Sequence, residues 1–220
     1  MSSRHNFGSN FYDLSLKKIL KIELLSFFGR LFSKKVINTD KKYLQLGCGD
    51  NYNNDSFIHC DFYTRDFFNI FKKKNFLCLD LRYKLPFNDN QFEGIFSEHT
   101  LEHLYPSEAL KLLNEIYRIL KPGGILRLVV PDLKIYINYY NNKDISLGRN
   151  YKFGCEAIWN LTQNFSHRTV WDSEMLIYYL KQNGFINCKE FDYRVSQNEN
   201  LVLDKEGRKI DSIYVEATKQ

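Results

Sequence analysis

Several common signals are missing from this sequence. Its five cysteines include no pair with CxxC spacing, and no apolar run approaches the length of a membrane span. Met1 is followed by polar residues, whereas a secretory signal has a charged start and an apolar core. We therefore expect a cytoplasmic protein whose cysteines are free thiols in a reducing compartment.

Most of the chain carries no excess of positive charge. Residues 1–42 hold nine Lys or Arg and three Asp or Glu, whereas residues 43–220 hold 22 and 23. Nucleic-acid binding needs a basic face on the folded domain, so we expect no nucleic-acid partner. A chain of 220 residues fits one domain with an appendage. We place a basic amphipathic helical extension at residues 1–40 and the main domain at residues 41–220.

The extension carries an apolar stripe. From Leu14 to Phe32, apolar residues recur at spacings of three and four, which predicts a helix: Leu16, Leu20, Leu24, Phe27 and Leu31. Lysines and arginines flank this stripe. Two interpretations stay open: the helix docks on the domain or caps its pocket, or residues 14–35 lie on an anionic inner membrane face. The sequence does not set the oligomeric state.

Short apolar runs alternate with helices after Asp40. Strands are predicted at residues 43–46, 57–61, 76–80, 92–97, 125–130, 185–192 and 210–218, and helices at 107–120 and 173–183. Ser107 is the predicted N-cap of the first helix, and Lys121-Pro122-Gly123-Gly124 ends it. This alternation predicts an α/β fold with a mainly parallel sheet, in which ligands bind at the carboxyl ends of the strands.

Three successive strand ends carry the residues of a nucleoside pocket. The turn Gly47-Cys48-Gly49 follows the first strand, and its glycines let a ligand approach the backbone. Asp61 ends the second strand and can accept hydrogen bonds from both ribose hydroxyls. Asp80 ends the third and can accept from an adenine amine, with the Leu81 amide beside it.

The spacing argues against a dinucleotide. The full GxGxxG fingerprint is absent because Tyr52 stands where the third glycine would be. Asp61 follows Gly49 by 12 residues, not by about 20. A pyrophosphate also needs a helix start after the turn. The pattern therefore favours a phosphate-free adenosyl ligand such as S-adenosylmethionine over a nicotinamide cofactor.

Four segments carry a family resemblance: LQLGCG, HCD, LDLRYKLPFNDNQFEGIFSEHTLEHL and EIYRILKPGGILRLVVPD. Over residues 43–132 the chain resembles the class I S-adenosylmethionine-dependent methyltransferases, and within them the small bacterial predicted methyltransferases of the type 11 kind. The resemblance implies a Rossmann-like sheet of seven strands with an antiparallel last strand and helices on both faces.

The resemblance also implies roles for single residues. The turn Gly47-Cys48-Gly49 would face the methionine part of the cofactor, Asp61 the ribose, and Asp80 with Leu81 the adenine. Ser97, at the end of the fourth strand, would lie near the cofactor. Two features depart from the family: the third glycine of the loop is missing, and Phe92-Glu93 replaces the common Phe-Asp.

The segment after the fourth strand supplies candidate catalytic residues. His99 and His103 are candidates for a general base, and they share a helical face if a helix begins at Glu98. His99 is the better placed of the two because it lies nearest the strand end, and His103 alternatively caps or braces the short helix. The spacing is not that of HExxH, and no third ligand is evident, so we expect no metal site. Glu102 is interpreted as a brace of the short helix.

The later part of the chain is a candidate acceptor wall. Asp132 either touches the acceptor or caps the next helix, and His167 with Arg168 could orient an anionic or sugar acceptor. Residues 133–172 are rich in Tyr and Trp, which line ligand sites but also pack cores. The resemblance implies methyl transfer to a small molecule or to a glycan or lipid-linked sugar, as in polysaccharide biosynthesis. The alternative is a non-catalytic cofactor-binding or scaffold protein with the same fold.

Overall fold

The computed structural model describes residues 16–32, 36–49, 54–62 and 75–220. The predictions that concern residues 14–15, residues 33–35 and Tyr52 lie outside these described residues, as do those on the side chains of Leu16 and Leu31. Within the described part of the chain, no helix is long and apolar enough to cross a membrane.

The centre of the fold is a seven-stranded sheet. In chain order its strands are β1 (Tyr43–Leu46), β2 (Phe57–Asp61), β3 (Phe76–Cys78), β4 (Phe92–Glu98), β5 (Leu120–Pro131), β6 (Phe185–Phe191) and β7 (Ser212–Lys219). Their spatial order is β3-β2-β1-β4-β5-β7-β6, and β7 runs antiparallel to both neighbours while the other pairs are parallel. This confirms the predicted fold class.

The chain order of the strands reverses at β1, which lies between β2 and β4. Leu46 of β1 pairs with Cys60 on one side and with Ser97 on the other, so three strand ends meet at one edge. In open parallel sheets a ligand binds outside the carboxyl ends at such a reversal. The topology therefore places the candidate pocket above the end of β1.

Five helices are described: α1 (Leu16–Phe32), α2 (Pro106–Ile119), α3 (Leu133–Tyr140), α4 (Gly154–Gln163) and α5 (Ser173–Gln182). On one face of the sheet, Leu44 and Leu46 belong to a core that includes the apolar stripes of α2 and α5. The alternate residues point to the other face, where Tyr43 packs with Leu201 and Phe191. Burial of both faces is what a mainly parallel sheet requires.

Helix α2 begins earlier than predicted. Tyr105 is its cap residue, Pro106 occupies the first turn, and Glu108 Oε2 accepts a hydrogen bond from the Tyr105 amide at 2.9 Å. The prediction that Ser107 is the N-cap is wrong, because Pro106 is already helical and Ser107 lies inside the first turn. The helix ends at Ile119, so the prediction that Lys121-Pro122-Gly123-Gly124 ends it is wrong: these residues lie within β5, where Gly123 has a φ of +76°.

Helix α1 docks on the domain through polar residues. Ser26, 2% exposed, donates a hydrogen bond to Asp80 Oδ2 at 2.5 Å, and Glu23 forms an ion pair with Arg82 at 2.6 Å. The predicted apolar stripe does not make this contact. More than half of each of its described members is exposed, namely Leu20, Leu24 and Phe27.

A buried ion cluster joins β5 to β7. Arg127 of β5 donates to Asp204 Oδ1 at 2.9 Å through Nε and to Glu216 Oε1 at 2.9 Å through Nη1, and all three side chains are fully buried. Asp204 also accepts a hydrogen bond from the Arg194 amide, and Glu216 accepts one from the Gln197 amide. The cluster therefore holds the connection between β6 and β7 against the sheet.

Candidate functional site

The predicted glycine turn follows β1 directly. Gly47 and Gly49 have φ values of +66° and +55°, in the left-handed region that favours glycine. A Cβ on Gly47 would stand 1.8 Å from Thr100 Oγ1, so this turn also needs glycine to let the β4 loop approach. The Cys48 amide donates to the Cys60 carbonyl at 3.0 Å, which continues the β1–β2 pairing into the turn.

Asp61 lies beside this turn, as predicted from its place at the end of β2. Its Oδ2 accepts a hydrogen bond from the Gly49 amide at 2.7 Å. The carboxylate therefore fixes the turn and stands at the strand end where a ribose would bind. No described atom lies within 4 Å of the position that a Cβ on Gly49 would take. The described residues here leave space for a ligand and fit an adenosyl group.

Asp80 follows β3 and has partners within the protein. Arg82 donates to Asp80 Oδ1 through Nε at 2.9 Å and to Oδ2 through Nη2 at 2.7 Å, while Ser26 of α1 donates to Oδ2. Burial alone would raise the pKa of Asp80, but these hydrogen bonds lower it below its ordinary value. Reading an adenine amine through Asp80 would require Ser26 or Arg82 to share the carboxylate.

The remaining predicted cofactor residues are buried around the same edge. The side chain of Leu81 belongs to the main core, and Ser97 is 3% exposed on β4 beside the end of β1. The pKa of the Cys78 thiol is raised, first by burial and then by the charges of Asp61 and Asp80, so both aspartates lie near this thiol. The structure thus places the turn, Asp61 and Asp80 around one edge.

His99 begins the second part of the site. Its φ of +49° takes the chain out of β4, so no helix begins at Glu98, and the expectation that His99 and His103 share a helical face is wrong. His99 Nε2 lies 2.7 Å from Ser212 Oγ, and Nδ1 lies 3.3 Å from Glu102 Oε1. Burial, followed by the charge of Arg208, holds the pKa of His99 well below its usual range.

Glu102 is the most unusual side chain of the site. It lies in a short 3-10 helix, Leu101–His103, and is 1% exposed, yet within the described residues neither carboxylate oxygen has a hydrogen-bond partner. Burial raises its pKa to about 8. Burying a carboxylate without a hydrogen-bond partner costs free energy, so a role as a simple brace of the helix does not account for Glu102.

His103 and His167 lie against this carboxylate. Their ring centroids are 5.0 Å apart, and the ligand atoms of Glu102, His103 and His167 all lie within 4.8 Å of one another. Desolvation lowers the pKa of His103 to about 4 and, as the largest cause, lowers that of His167. Each of these residues was named as a candidate or a brace from the sequence. Their clustering was not predicted, because His167 is far along the chain from Glu102 and His103.

The residues 133–172 fold as a small unit of α3 and α4. Tyr136 and Leu161 are in its core, Trp171 is buried, and Trp159 is 48% exposed. Asp132 accepts a hydrogen bond from the Lys134 amide at 2.9 Å, so it caps α3. Much of the aromatic content of this segment is therefore packing.

Comparisons with known proteins agree with this arrangement. Residues 44–128 match a family model described as a methyltransferase domain. A comparison with curated proteins finds no match.

Solved structures of low sequence identity share the fold. A methyltransferase dependent on S-adenosylmethionine (SAM) from Archaeoglobus fulgidus is 17% identical with a TM-score of 0.53, over 91% of this chain and 94% of that chain. One from Methanosarcina mazei is 18% identical with a TM-score of 0.53, over 84% and 94%. The YcgJ protein from Bacillus subtilis is 14% identical with a TM-score of 0.52, over 92% and 99%.

At these identities the structural likeness shows the fold, and the family model adds the domain type. Together they imply S-adenosylmethionine as the cofactor. Residues 44–128 thus match the model of the methyltransferase domain family, and the seven-stranded sheet has the fold of the class I S-adenosylmethionine-dependent methyltransferases.

Proposed function

We propose that this protein transfers a methyl group from S-adenosylmethionine to a small molecule or to a glycan or lipid-linked sugar. The observation that supports this most directly is the contact between Asp61 and the Gly49 amide above the end of β1. It sits at the strand reversal of a methyltransferase fold, within residues that match a methyltransferase domain.

In this proposal the cofactor residues keep the roles that the sequence suggested. The turn Gly47-Cys48-Gly49 receives the methionine part, Asp61 accepts from the ribose hydroxyls, and Asp80 with Leu81 contacts the adenine. Ser97 lies near the bound group. When bound, S-adenosylmethionine supplies an electrophilic methyl group on a sulfonium. The protein must then align an acceptor in line with that group and exclude water.

The histidines are proposed to act on the acceptor. An oxygen acceptor must lose a proton, and an unprotonated imidazole can take it. His103 suits this better than His99, because the His103 residue is exposed, whereas the side chain of His99 is 8% exposed with both ring nitrogens against protein groups. Desolvation lowers the pKa of His103 to about 4, so its ring is neutral near pH 7.

Calorimetric titration of the full chain with S-adenosylhomocysteine tests the cofactor assignment, with NAD as the competing ligand. We expect binding of the first and none of the second. Asp61→Asn should weaken the binding at least about tenfold, because an amide cannot accept from two ribose hydroxyls as a carboxylate does. Asp40→Asn is the matched control at an exposed carboxylate and should bind as the wild type does.

Two results would contradict the proposal in different ways. Absence of heat and of any thermal shift with S-adenosylhomocysteine would remove the cofactor assignment. Binding without methyl transfer to any small-molecule or lipid-linked sugar acceptor, followed with labelled methyl groups, would favour the non-catalytic scaffold instead.

We also propose that α1 contacts an anionic membrane while docked, which would keep the enzyme near a membrane-bound acceptor. The support is that Ser26 and Glu23 face the domain while Leu20, Leu24 and Phe27 of the stripe are each more than half exposed. The double variant Leu24→Glu with Phe27→Glu should lose binding to vesicles of anionic lipid, and Lys111→Glu on α2 is the control. Unchanged binding of the double variant would leave α1 as a docked helix only.

A further inference from the structure

The cluster of Glu102, His103 and His167 contains the donor atoms of a metal site. One carboxylate oxygen and two imidazole nitrogens lie within 4.8 Å of one another. Two imidazoles with one carboxylate suit divalent transition metals, whereas Mg²⁺ and Ca²⁺ prefer sets of oxygen ligands. No metal site was expected from the sequence, because no third ligand is evident there. In the fold, His167 lies beside Glu102 and His103 and provides a third donor.

The backbone holds the two segments of the cluster together. The carbonyl of Glu102 accepts hydrogen bonds from the amides of Arg168 at 2.7 Å and Thr169 at 3.1 Å. Thr169 Oγ1 also donates to the Leu101 carbonyl at 3.4 Å. These hydrogen bonds therefore fix His167 beside the short helix that carries Glu102 and His103. This placement does not depend on contacts between the three side chains.

The Glu102 carboxylate is an independent sign of a missing partner. It is 1% exposed, and neither oxygen has a hydrogen-bond partner within the described residues. Arg208 is the cation whose charge acts on this carboxylate, but it is an exposed residue and makes no ion pair with Glu102 in the described part of the chain. A bound cation would supply the charge and the ligand bonds that the buried oxygens lack.

His167 has the orientation of a metal ligand. His167 Nδ1 lies 2.6 Å from the Leu161 carbonyl, and because a carbonyl only accepts, Nδ1 must carry the proton. Nε2 is then the unprotonated nitrogen, which is how a backbone carbonyl orients a ligating histidine. His99 Nδ1, 3.3 Å from Glu102 Oε1, occupies the place of an outer-shell group. His103 is exposed, so an ion can reach the cluster from solvent.

We propose that Glu102, His103 and His167 bind one divalent transition-metal ion, such as Zn²⁺ or Co²⁺. Three protein ligands leave at least one coordination position for water or another oxygen ligand. The site lies beside the carboxyl end of β4, next to the pocket above β1. The proposal concerns metal binding and does not depend on methyl transfer. A His103 nitrogen that binds the ion cannot also take a proton, so the proposed role of His103 as a base applies to the metal-free protein.

The test uses the full chain after removal of metal with a chelator and dialysis. Calorimetric titration with Zn²⁺, and the visible spectrum with Co²⁺, should show one ion bound per chain, and a large excess of Mg²⁺ should not displace it. The pattern of Co²⁺ absorption reports nitrogen and oxygen ligands directly, so the readout does not use activity.

Two variants remove single ligands conservatively. His167→Asn keeps a donor for the Leu161 carbonyl but loses Nε2, and Glu102→Gln keeps the size of the side chain but loses its charge. Since loss of an outer-shell group alone costs about 10–100-fold in affinity, each should weaken binding at least about 100-fold. His59→Asn is the control, because His59 lies on β2 and contacts Gln45 of β1 and the Asn54 carbonyl, away from the cluster.

Circular dichroism establishes that each variant is folded before its titration is interpreted. The site is supported if the wild type and His59→Asn each bind one ion. Both ligand variants must lose that binding. The proposal is overturned if the wild type binds neither metal, or if folded His167→Asn and Glu102→Gln bind as tightly as the control. Either result would mean that Glu102 is simply held as a neutral carboxylic acid.

Discussion

The two sides of the carboxyl edge are built differently. On the side of β1, β2 and β3, the main contact joins Gly49 to Asp61 across 12 residues of chain. On the side of β4, β5 and β7, His99 meets Ser212 across 113 residues and Arg127 meets Glu216 across 89. The first side is assembled from neighbouring strand ends, whereas the second depends on long-range polar contacts with the last third of the chain.

This difference also appears in how charges are satisfied. Asp61 and Asp80 accept hydrogen bonds from nearby groups of the protein, and Asp80 has a lowered pKa. Glu102 is buried without a hydrogen-bond partner in the described residues, and its pKa is raised to about 8. Among the described residues, the carboxylates of Asp61 and Asp80 are hydrogen-bonded before any ligand binds, whereas the carboxylate of Glu102 is not. A further ligand is therefore to be sought beside Glu102.

The largest effect should come from breaking a long-range contact. Arg127→Met leaves Asp204 and Glu216 buried without their cation, which should lower the free energy of unfolding by about 3–5 kcal/mol. Urea denaturation followed by circular dichroism measures it. Lys111→Met, at an exposed lysine of α2, is the control and should change stability by less than about 0.5 kcal/mol. A similarly small loss for Arg127→Met would show that the β5–β7 cluster does not hold this side together.

The glycine turn offers a smaller, local effect. Gly47→Ala meets both a positive φ and a clash with Thr100, so it should lower the free energy of unfolding by about 2–3 kcal/mol. Gly49→Ala meets the positive φ but no described atom within 4 Å, so about 1 kcal/mol is expected. Thermal or urea denaturation of both variants separates the two causes. Equal losses would mean that Thr100 moves away freely.

The smallest effect concerns the contact of α1 with Asp80. Ser26→Ala removes one hydrogen bond to a carboxylate and should cost about 1 kcal/mol at pH 7. The pKa of Asp80 is lowered below 3.8, so the stability from its ionised form is present above that pH and lost as the pH falls through the lowered value. The difference between Ser26→Ala and the wild type should therefore shrink in acid.

Urea midpoints at pH 7, 5, 4 and 3 measure this change. Ser107→Ala, at an exposed serine in the first turn of α2, serves as the control. A difference that stays constant down to pH 3 would show that Ser26 acts through packing and not through the charge of Asp80.

The two sides of the carboxyl edge also differ in how much of them the sequence could predict. The strand ends at Leu46 and Asp61 follow from short apolar runs closed by glycine or aspartate, which are local signals. The third strand ends at Cys78, two residues before the predicted end at Asp80. The seven strands and the antiparallel last strand followed from the family resemblance and are confirmed. The roles assigned to the predicted site residues stay predictions.

Other features could not be read from local patterns. Nothing near Glu102 in the sequence indicates that His167 lies beside it, because the contact depends on how residues 133–172 fold. The apolar stripe of α1 correctly predicted a helix but not its docking face, since Ser26 and Glu23 find their partners only when β3 is in place. Periodicity identifies an apolar face, but it does not identify what that face meets.

The left-handed backbone at His99 decides how its chemistry can be tested. Alanine, the usual probe of a candidate base, pays a conformational penalty at a φ of +49°, so an inactive His99→Ala enzyme could be a misshapen one. Asparagine tolerates that geometry and can still hydrogen-bond, which makes it the replacement whose kinetics report on the imidazole alone. The position thus restricts not only which residues can occupy it but also which experiments on it are interpretable.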